Sequence, residues 1–283
     1  MPRLESTKRL LRRWFTSIPF FVLLGLILGA VIAIPVIPKP NIATITISGE
    51  ILDQAYADDI LDMLRDARND NSIKAVVLQI DSPGGYVVTT EAIYLEVLRL
   101  RQQKPVVASI KMRAASGGYY IAVAANFIYA LPTSEVGSIG AWSSLPSPEE
   151  LDEDTLTSGL FKATGGSRRK AVVELEMVRQ EFVSAVMSQR GDRLKLSEEE
   201  LSRAEVYLGN ESLKYGLIDD IGTSTDAIEK AASLAGIRNY EVVEPYIPQS
   251  ISFPFFFSSA DLAKLKAQTG TMPVYYYLYF ESE

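Results

Sequence analysis

The chain has 283 residues, a net charge of −7 and neither histidine nor cysteine. Without histidine there can be no Ser-His-Asp triad, and without cysteine there can be no thiol protease, iron–sulfur cluster or cysteine zinc site. A serine nucleophile in this chain would therefore need a lysine or a carboxylate as its general base.

The N-terminal part of the chain combines a basic segment with a long apolar run. Residues 1–13 carry five basic side chains and one acidic one, which leaves a net charge of −11 for the rest of the chain. Residues 14–37 contain no charged side chain over 24 positions, enough for a helix to cross about 30 Å of hydrocarbon. The pattern predicts an uncleaved transmembrane anchor with a cytoplasmic N-terminus and an extracytoplasmic globular part, because basic residues are enriched on the cytoplasmic side. A cleaved signal peptide is the competing interpretation.

The acidic remainder of the chain disfavours nucleic acid as a partner.

Apolar runs and amphipathic stretches alternate along residues 41–245, which we interpret as one globular domain. Strand, helix, strand at this spacing predicts right-handed crossovers and a mainly parallel sheet in an α/β fold. The predicted strands are 43–47, 74–80, 105–110, 126–130 and 240–243. The predicted helices are 58–68, 90–102, 119–125, 169–190, 197–204, 210–215 and 225–235.

Two glycine-rich turns are predicted at 81–85 and 114–118, each directly after a strand of this sheet. Ligands of open α/β sheets bind at the carboxyl ends of the strands, so both turns should face one cleft. Neither turn matches a nucleotide-binding pattern, and the alternative for 81–85 is an ordinary turn. A third turn of small residues is predicted at 137–140.

Ser116 is the candidate nucleophile. It stands between an apolar strand and a helix start in the stretch 105–120, which has the sequence P-V-V-A-S-I-K-M-R-A-A-S-G-G-Y-Y. This setting places a hydroxyl at the positive end of a helix, where backbone N–H groups can receive an oxyanion. The alternative is an ordinary serine that caps the helix.

A lysine that serves as the general base would be one of the 12 lysines of the chain. Lys111 and Lys162 differ from the others because each follows an apolar run and precedes small residues. A lysine accepts a proton only when it is neutral, which requires burial away from carboxylates. From the residues alone both lysines remain candidates.

Residues 246–283 form an aromatic-rich C-terminal tail. Its two aromatic runs, 253–257 and 274–280, are too short to span a bilayer. Each could be a core strand, an interfacial patch or a segment that pairs with a sheet edge.

The chain contains four motifs in a fixed order: D-S-P-G-G at 81–85, A-A-S-G-G-Y-Y-I-A at 114–122, G-S-I-G at 137–140 and Y-L-G-N-E-S-L-K-Y-G-L-I-D-D-I-G at 207–222. Over residues 43–240 this set resembles the signal peptide peptidase A family. The resemblance implies a Clp-protease/crotonase-like α/β fold of repeated β-α units, preceded in the chain by one N-terminal transmembrane helix. It also implies a membrane-anchored, homo-oligomeric serine endopeptidase that cleaves remnant signal peptides and other hydrophobic peptides without a metal or cofactor. Such an enzyme would act at the extracytoplasmic face of the cell membrane.

The resemblance also assigns site residues. The nucleophile falls on Ser116 and the general base on Lys162, which together form a Ser-Lys dyad. Ser138 lies where a hydroxyl would orient the lysine. Gly84 and Gly85 correspond to an oxyanion-hole and substrate-strand element, and the N–H of Gly117 would share the oxyanion with that of Gly84.

Two other functions fit the same fold. One is a related membrane protease specialised for a single membrane-protein partner. The other is a crotonase-like scaffold without catalysis. Labelling of Ser116 by a serine-directed probe would separate the scaffold from the peptidases.

Overall fold

The computed structural model describes residues 18–33, 38–144, 158–159, 161–162, 165–244 and 274–278. The chain divides into two units, residues 1–39 and residues 40–283. The aromatic run at 253–257 lies outside the described residues.

The first unit contains helix α1, Ile18–Ala33, which has 16 residues. It carries no charged residue, and large apolar side chains such as those of Phe21 and Leu26 are exposed in this unit. Among the described residues, no helix is both long and apolar enough to cross a membrane. Residues 14–17 and 34–37 of the predicted anchor lie outside the described part, so the anchor stays a prediction.

Helices of the second unit begin and end close to the positions that the sequence predicts. Helix α2 begins after Asp53, whose carboxylate accepts a hydrogen bond from the N–H of Ala55. Helix α8 begins with a capping box between Thr223 and Asp226. The helices are α2 Gln54–Asn69, α3 Val87–Arg101, α4 Gly117–Ala122, α5 Arg168–Arg190, α6 Glu198–Leu201, α7 Gly209–Tyr215 and α8 Ser224–Ala235.

Ten strands in the described part form one mixed sheet that is mainly parallel. They are β1 Asn41–Ile51, β2 Ile73–Tyr86, β3 Val106–Ala115, β4 Phe127–Ala130, β5 Glu135–Gly137, β6 Trp142–Ser144, β7 Val206–Leu208, β8 Asp220–Ile221, β9 Glu241–Val243 and β10 Val274–Leu278. Pairs β9–β1, β1–β2, β2–β3, β3–β4, β3–β5 and β4–β8 are parallel. Pairs β5–β7, β10–β2 and β10–β6 are antiparallel. The predicted parallel α/β sheet is confirmed.

The sheet is covered on both faces. Val76 and Leu78 of β2 belong to a large core with α2 and α3, whereas Ala75 and Val77 belong to a smaller core with α8. Successive side chains of a strand point to opposite faces, so a strand between two helical layers must be apolar at nearly every position. This explains the unbroken apolar run that predicts the strand.

The predicted turn at 81–85 is wrong, because β2 continues through Tyr86. Gly84 and Gly85 pair with Glu50 and Ile51 of β1 on one side, and β10 pairs with them on the other side. Neighbours on both sides supply hydrogen-bond partners that keep a Pro-Gly-Gly stretch extended. Strand β3 is also longer than predicted, because its end pairs with β5.

Candidate functional site

Ser116 lies between the end of β3 and the start of α4, as the sequence predicts. Its backbone has φ 51° and ψ −120°, and its N–H donates to the carbonyl of Gly137 at 2.8 Å. A non-glycine residue with this conformation costs roughly 1–3 kcal/mol, and such strain occurs mainly at functional sites. The hydroxyl makes no capping hydrogen bond. The capping alternative is therefore wrong.

Gly84 lies directly beside this turn. Its φ is +104°, and a Cβ atom there would lie 1.8 Å from the carbonyl oxygen of Tyr277 and 2.6 Å from the nitrogen of Gly117. Gly117 opens helix α4, so its N–H has no acceptor within the helix. The carbonyl oxygen of Tyr277 thus lies against Gly84 and close to the N-terminus of α4. The N–H of Gly84 itself donates to the hydroxyl of Ser82 at 3.1 Å.

Gly85 has a structural reason to be glycine. A Cβ atom there would lie 2.2 Å from the carbonyl oxygen of Ile51 in β1. On its other side Gly85 is paired with Tyr277 of β10. Gly85 therefore allows the close approach of β1 and lies on the strand edge that an extended segment occupies.

Ser138 follows Gly137, which is the partner of Ala115 in the β3–β5 pair. Ser116 and Ser138 therefore follow paired residues at the same edge of the sheet. Ser138 also has a positive φ, 52°, and its N–H donates to the carbonyl of Glu205 at 2.9 Å. The structure thus brings the predicted Ser138 next to the turn of Ser116.

Strand β10, from the C-terminal tail, lies across this site. It pairs antiparallel with residues 84–86 of β2 and with residues 142–144 of β6. Within the run at 274–280, residues 274–278 form a strand of the sheet whose Tyr277 belongs to the large core, so two of the three proposed roles, core strand and pairing with a sheet edge, are observed there. With β10 in place Ser116 is only 1% exposed. An extended segment of the chain therefore lies beside the turn that carries the buried candidate nucleophile.

The side chain of Tyr277 fills an aromatic pocket, which we call the Tyr277 pocket. Its ring centroid is 5.3 Å from that of Tyr120 and 4.8 Å from that of Phe182. The phenol donates to the carbonyl of Val178 at 2.9 Å. The ring of Tyr94 packs on Tyr120 at 4.4 Å and extends the wall. Burial raises the pKa of the Tyr277 phenol.

Neither candidate lysine is joined to Ser116 by a hydrogen bond in the described part of the chain. Lys162 and Lys111 are both exposed. The backbone N–H of Lys162 donates to the carbonyl of Gly159 at 3.2 Å, and the neighbouring Phe161 is also exposed. The burial expected of a base lysine is not found in the single chain. The structure therefore locates the candidate nucleophile and leaves the base a prediction.

The residues of the Tyr277 pocket were not predicted from the sequence. Tyr120 stands in the A-A-S-G-G-Y-Y-I-A motif, and Phe182 stands in a predicted helix, but neither position indicates a shared pocket. The aromatic run at 274–280 was the one available signal. Its partner could not be identified, because pairing with β2 depends on tertiary structure.

Two family models match the chain, "Peptidase family S49" over residues 99–238 and "Clp protease" over residues 41–139. Similar proteins include Protease 4 of Haemophilus influenzae, 32% identical over 73% of this chain and 37% of its own length. The Arabidopsis thaliana protein "Serine protease SPPA, chloroplastic" is 31% identical over 64% of this chain and 29% of its own length. A relative from Enterococcus faecium, whose name proposes a signal peptide peptidase, SppA, is 28% identical over 68% of this chain and 60% of its own length. The chain thus spans between 29% and 60% of the length of these relatives.

Proposed function

Because the chain belongs to peptidase family S49, a family of serine peptidases, we propose that it is a membrane-anchored endopeptidase for remnant signal peptides and other hydrophobic peptides. One observation carries the proposal. An extended segment pairs with residues 84–86 of β2 beside the Ser116 turn, and the carbonyl oxygen of Tyr277 lies 1.8 Å from the point a Cβ atom on Gly84 would occupy and 3.0 Å from the corresponding point on Gly117. A peptide substrate in the same position would present its carbonyl to a serine and an oxyanion hole.

In the proposed reaction the hydroxyl of Ser116 attacks the substrate carbonyl and Lys162 takes its proton. The N–H of Gly117 stabilises the oxyanion, and one such donor contributes about 2.7–4 kcal/mol. Lys162 then protonates the leaving amine, and water releases the acyl group from the serine. Gly84 leaves room for the carbonyl oxygen, and the hydroxyl of Ser138 orients the lysine.

Lys162 must lose contact with water before it can act as a base. Its side chain is exposed in the single chain. We propose that the chain forms a homo-oligomer and that assembly covers this lysine. No metal or cofactor takes part in the proposed reaction.

The proposed substrate lies as β10 does, antiparallel to residues 84–86, and places a large side chain in the Tyr277 pocket. Main-chain pairing of this kind binds peptides with little dependence on sequence, and pockets add selectivity. Such a substrate has to displace β10. Residues 14–37 would hold the catalytic unit at the extracytoplasmic surface of the cell membrane, where hydrophobic peptides are released.

A fluorophosphonate probe tests this proposal. The full chain should be labelled, and Ser116→Ala should abolish labelling and peptide cleavage. The matched control is Ser109→Ala, which removes a buried hydroxyl from β3, the strand that leads to Ser116. Labelling that survives in Ser116→Ala would contradict the assignment. The scaffold alternative predicts no labelling at all, and the protease names of the relatives do not favour it.

A further inference from the structure

Ser82 is a fully buried serine of β2 that lies two residues before Gly84. Its hydroxyl donates to the carbonyl of Gly49 in β1 at 2.6 Å and accepts from the N–H of Gly84 at 3.1 Å. One side chain therefore joins strand β1 to the residue against which the carbonyl of Tyr277 lies. The bond to β1 uses a main-chain carbonyl, so it does not depend on the absence of a side chain at Gly49.

The pairing of β2 is irregular on both sides of Ser82. The register of β2 against β1 shifts around Gly49, and its register against β3 shifts between Ile80 and Ser82. Where a ladder is interrupted in this way, buried main-chain groups need hydrogen-bond partners from elsewhere. The hydroxyl of Ser82 supplies them to the carbonyl of Gly49 and the N–H of Gly84. The path of the main chain into Gly84 thus depends on this side chain.

The main chain of Ser82 also lies against the elements that flank Ser116. A Cβ atom on Gly118 would lie 2.5 Å from the carbonyl oxygen of Ser82 and 3.3 Å from its Cβ atom. Gly118 is the second residue of α4, the helix that begins directly after Ser116. On its other side Ser82 pairs with Ala114 of β3, two residues before Ser116. Ser82 therefore connects the strand and the helix around the candidate nucleophile with Gly84.

We infer that Ser82 is a positioning residue, whose hydroxyl holds Gly84 where a substrate carbonyl reaches the N–H of Gly117. This inference rests on the proposed function. Glycine populates many backbone conformations, so the φ of +104° at Gly84 has to be fixed by neighbours. A substrate that displaces β10 exchanges one of these neighbours, whereas the bonds of Ser82 stay within the chain. Because Ser82 engages the N–H of Gly84, Gly84 contributes space for the carbonyl oxygen and Gly117 contributes the hydrogen bond.

The first experiment measures peptide cleavage by the full chain and by Ser82→Ala. This substitution leaves two buried main-chain groups without their partner. The value of kcat should fall about tenfold, the size expected for buried hydrogen bonds that are lost in this way. The value of KM should change by less than about twofold, because main-chain pairing of the substrate with residues 84–86 does not use the hydroxyl of Ser82.

Ser134, which lies between β4 and β5, provides the matched control. Its buried hydroxyl also bridges two main-chain groups, since it accepts from the N–H of Leu131 at 3.0 Å and donates to the carbonyl of Lys111. Ser134→Ala therefore removes the same kind of bridge at another place in the fold. Both kcat and KM should stay within about twofold of their values in the unaltered chain.

A second experiment separates positioning from a purely structural role. A peptide aldehyde adds to Ser116: the serine oxygen bonds to the aldehyde carbon, the carbonyl π bond becomes an oxyanion, and the serine proton passes to the base. The matching peptide alcohol binds without this step and displaces the same strand β10. The ratio of the two inhibition constants therefore measures stabilisation of the adduct, which resembles the transition state. Ser82→Ala should lower the advantage of the aldehyde about tenfold, and Ser134→Ala should leave it unchanged.

Ser82→Cys tests the same bonds without leaving an empty space, because a thiol fills the position of the hydroxyl but forms only weak hydrogen bonds. It should also lower the advantage of the aldehyde. An unchanged ratio in both Ser82 variants, or in the one that folds, would overturn the inference, and so would an equal fall in Ser134→Ala. Loss of folding in both variants would show a structural residue instead and would overturn it as well.

Failure of the proposed function has a different signature. The aldehyde would then have no advantage over the alcohol in the unaltered chain, or it would keep that advantage in Ser116→Ala. Either result would refute the proposed function together with the inference that rests on it. A Ser116-dependent advantage that does not respond to the Ser82 variants would refute the inference alone.

Discussion

The carbonyl oxygen of Tyr277 lies 1.8 Å from the point that a Cβ atom on Gly84 would occupy. Gly84→Ala should therefore expel strand β10 from its position and block a substrate carbonyl from the same place. We expect loss of peptide cleavage by at least about 100-fold, since small misplacements of the reacting carbonyl have effects of this size. Steady-state kinetics measures the loss.

The control for this substitution is Gly49→Ala. Gly49 also has a positive φ, +74°, but a Cβ atom there would meet nothing within 4 Å. This variant carries only the conformational cost of about 1–2 kcal/mol and should keep its activity. Equal activity of the two variants would show that the space beside Gly84 is not used by the substrate.

Ser116 is the candidate nucleophile, and its backbone conformation is strained. Ser116→Gly should abolish cleavage and also stabilise the fold by roughly 1 kcal/mol, because glycine adopts φ 51° without strain. Ser116→Ala should abolish cleavage without this gain. Denaturant unfolding of the two variants measures the difference. Equal stability of both variants would show that the positive φ stores no appreciable strain.

The fold of this chain was more predictable than its site. Strand β2 is predictable from its apolar run, because both of its faces are covered by helices. The extension of β2 through Gly84 and Gly85 was not predictable, since it depends on pairing with β1 and with a segment almost 200 residues later. Local sequence specifies a strand–turn–helix around Ser116, whereas the Tyr277 pocket exists only after distant elements pack together.

The two candidate lysines give opposite expectations. Lys162→Ala should abolish cleavage, and Lys162→Arg should abolish it too, because a guanidinium stays protonated and cannot accept a proton. Lys111→Ala should retain cleavage. Both lysine side chains are exposed in the single chain, so the fold should be unaffected in all three variants, which circular dichroism can check. Activity in Lys162→Ala with a loss in Lys111→Ala would show that Lys111 is the base.

The pH profile follows from the absence of histidine. Only a neutral amine accepts the proton of Ser116, so a lysine base requires that kcat/KM rise with pH along a single limb. The value of kcat/KM falls at low pH because protonation of the lysine amine occupies the lone pair that accepts the serine proton. A peptide ester assayed between about pH 3 and 11 brackets the two kinds of base. A limb near about pH 4 to 5, where carboxylates titrate, would point to Asp or Glu as the base.

The proposed anchor leads to two predictions, one about the solubility of the chain and one about its orientation in the membrane. Deletion of residues 1–40 should give a soluble chain that keeps Ser116-dependent cleavage, because the fold from β1 onward buries its own core and no site residue lies in the deleted part. In the full chain, the basic residues 1–13 should stay in the cytoplasm, since anchors orient with their positive end inside. Protease added to intact cells should therefore digest the catalytic unit, and a cytoplasmic marker protein serves as the control for intact cells. Protection of the catalytic unit from this protease would contradict the orientation, and a full chain that is recovered without detergent would contradict the anchor itself.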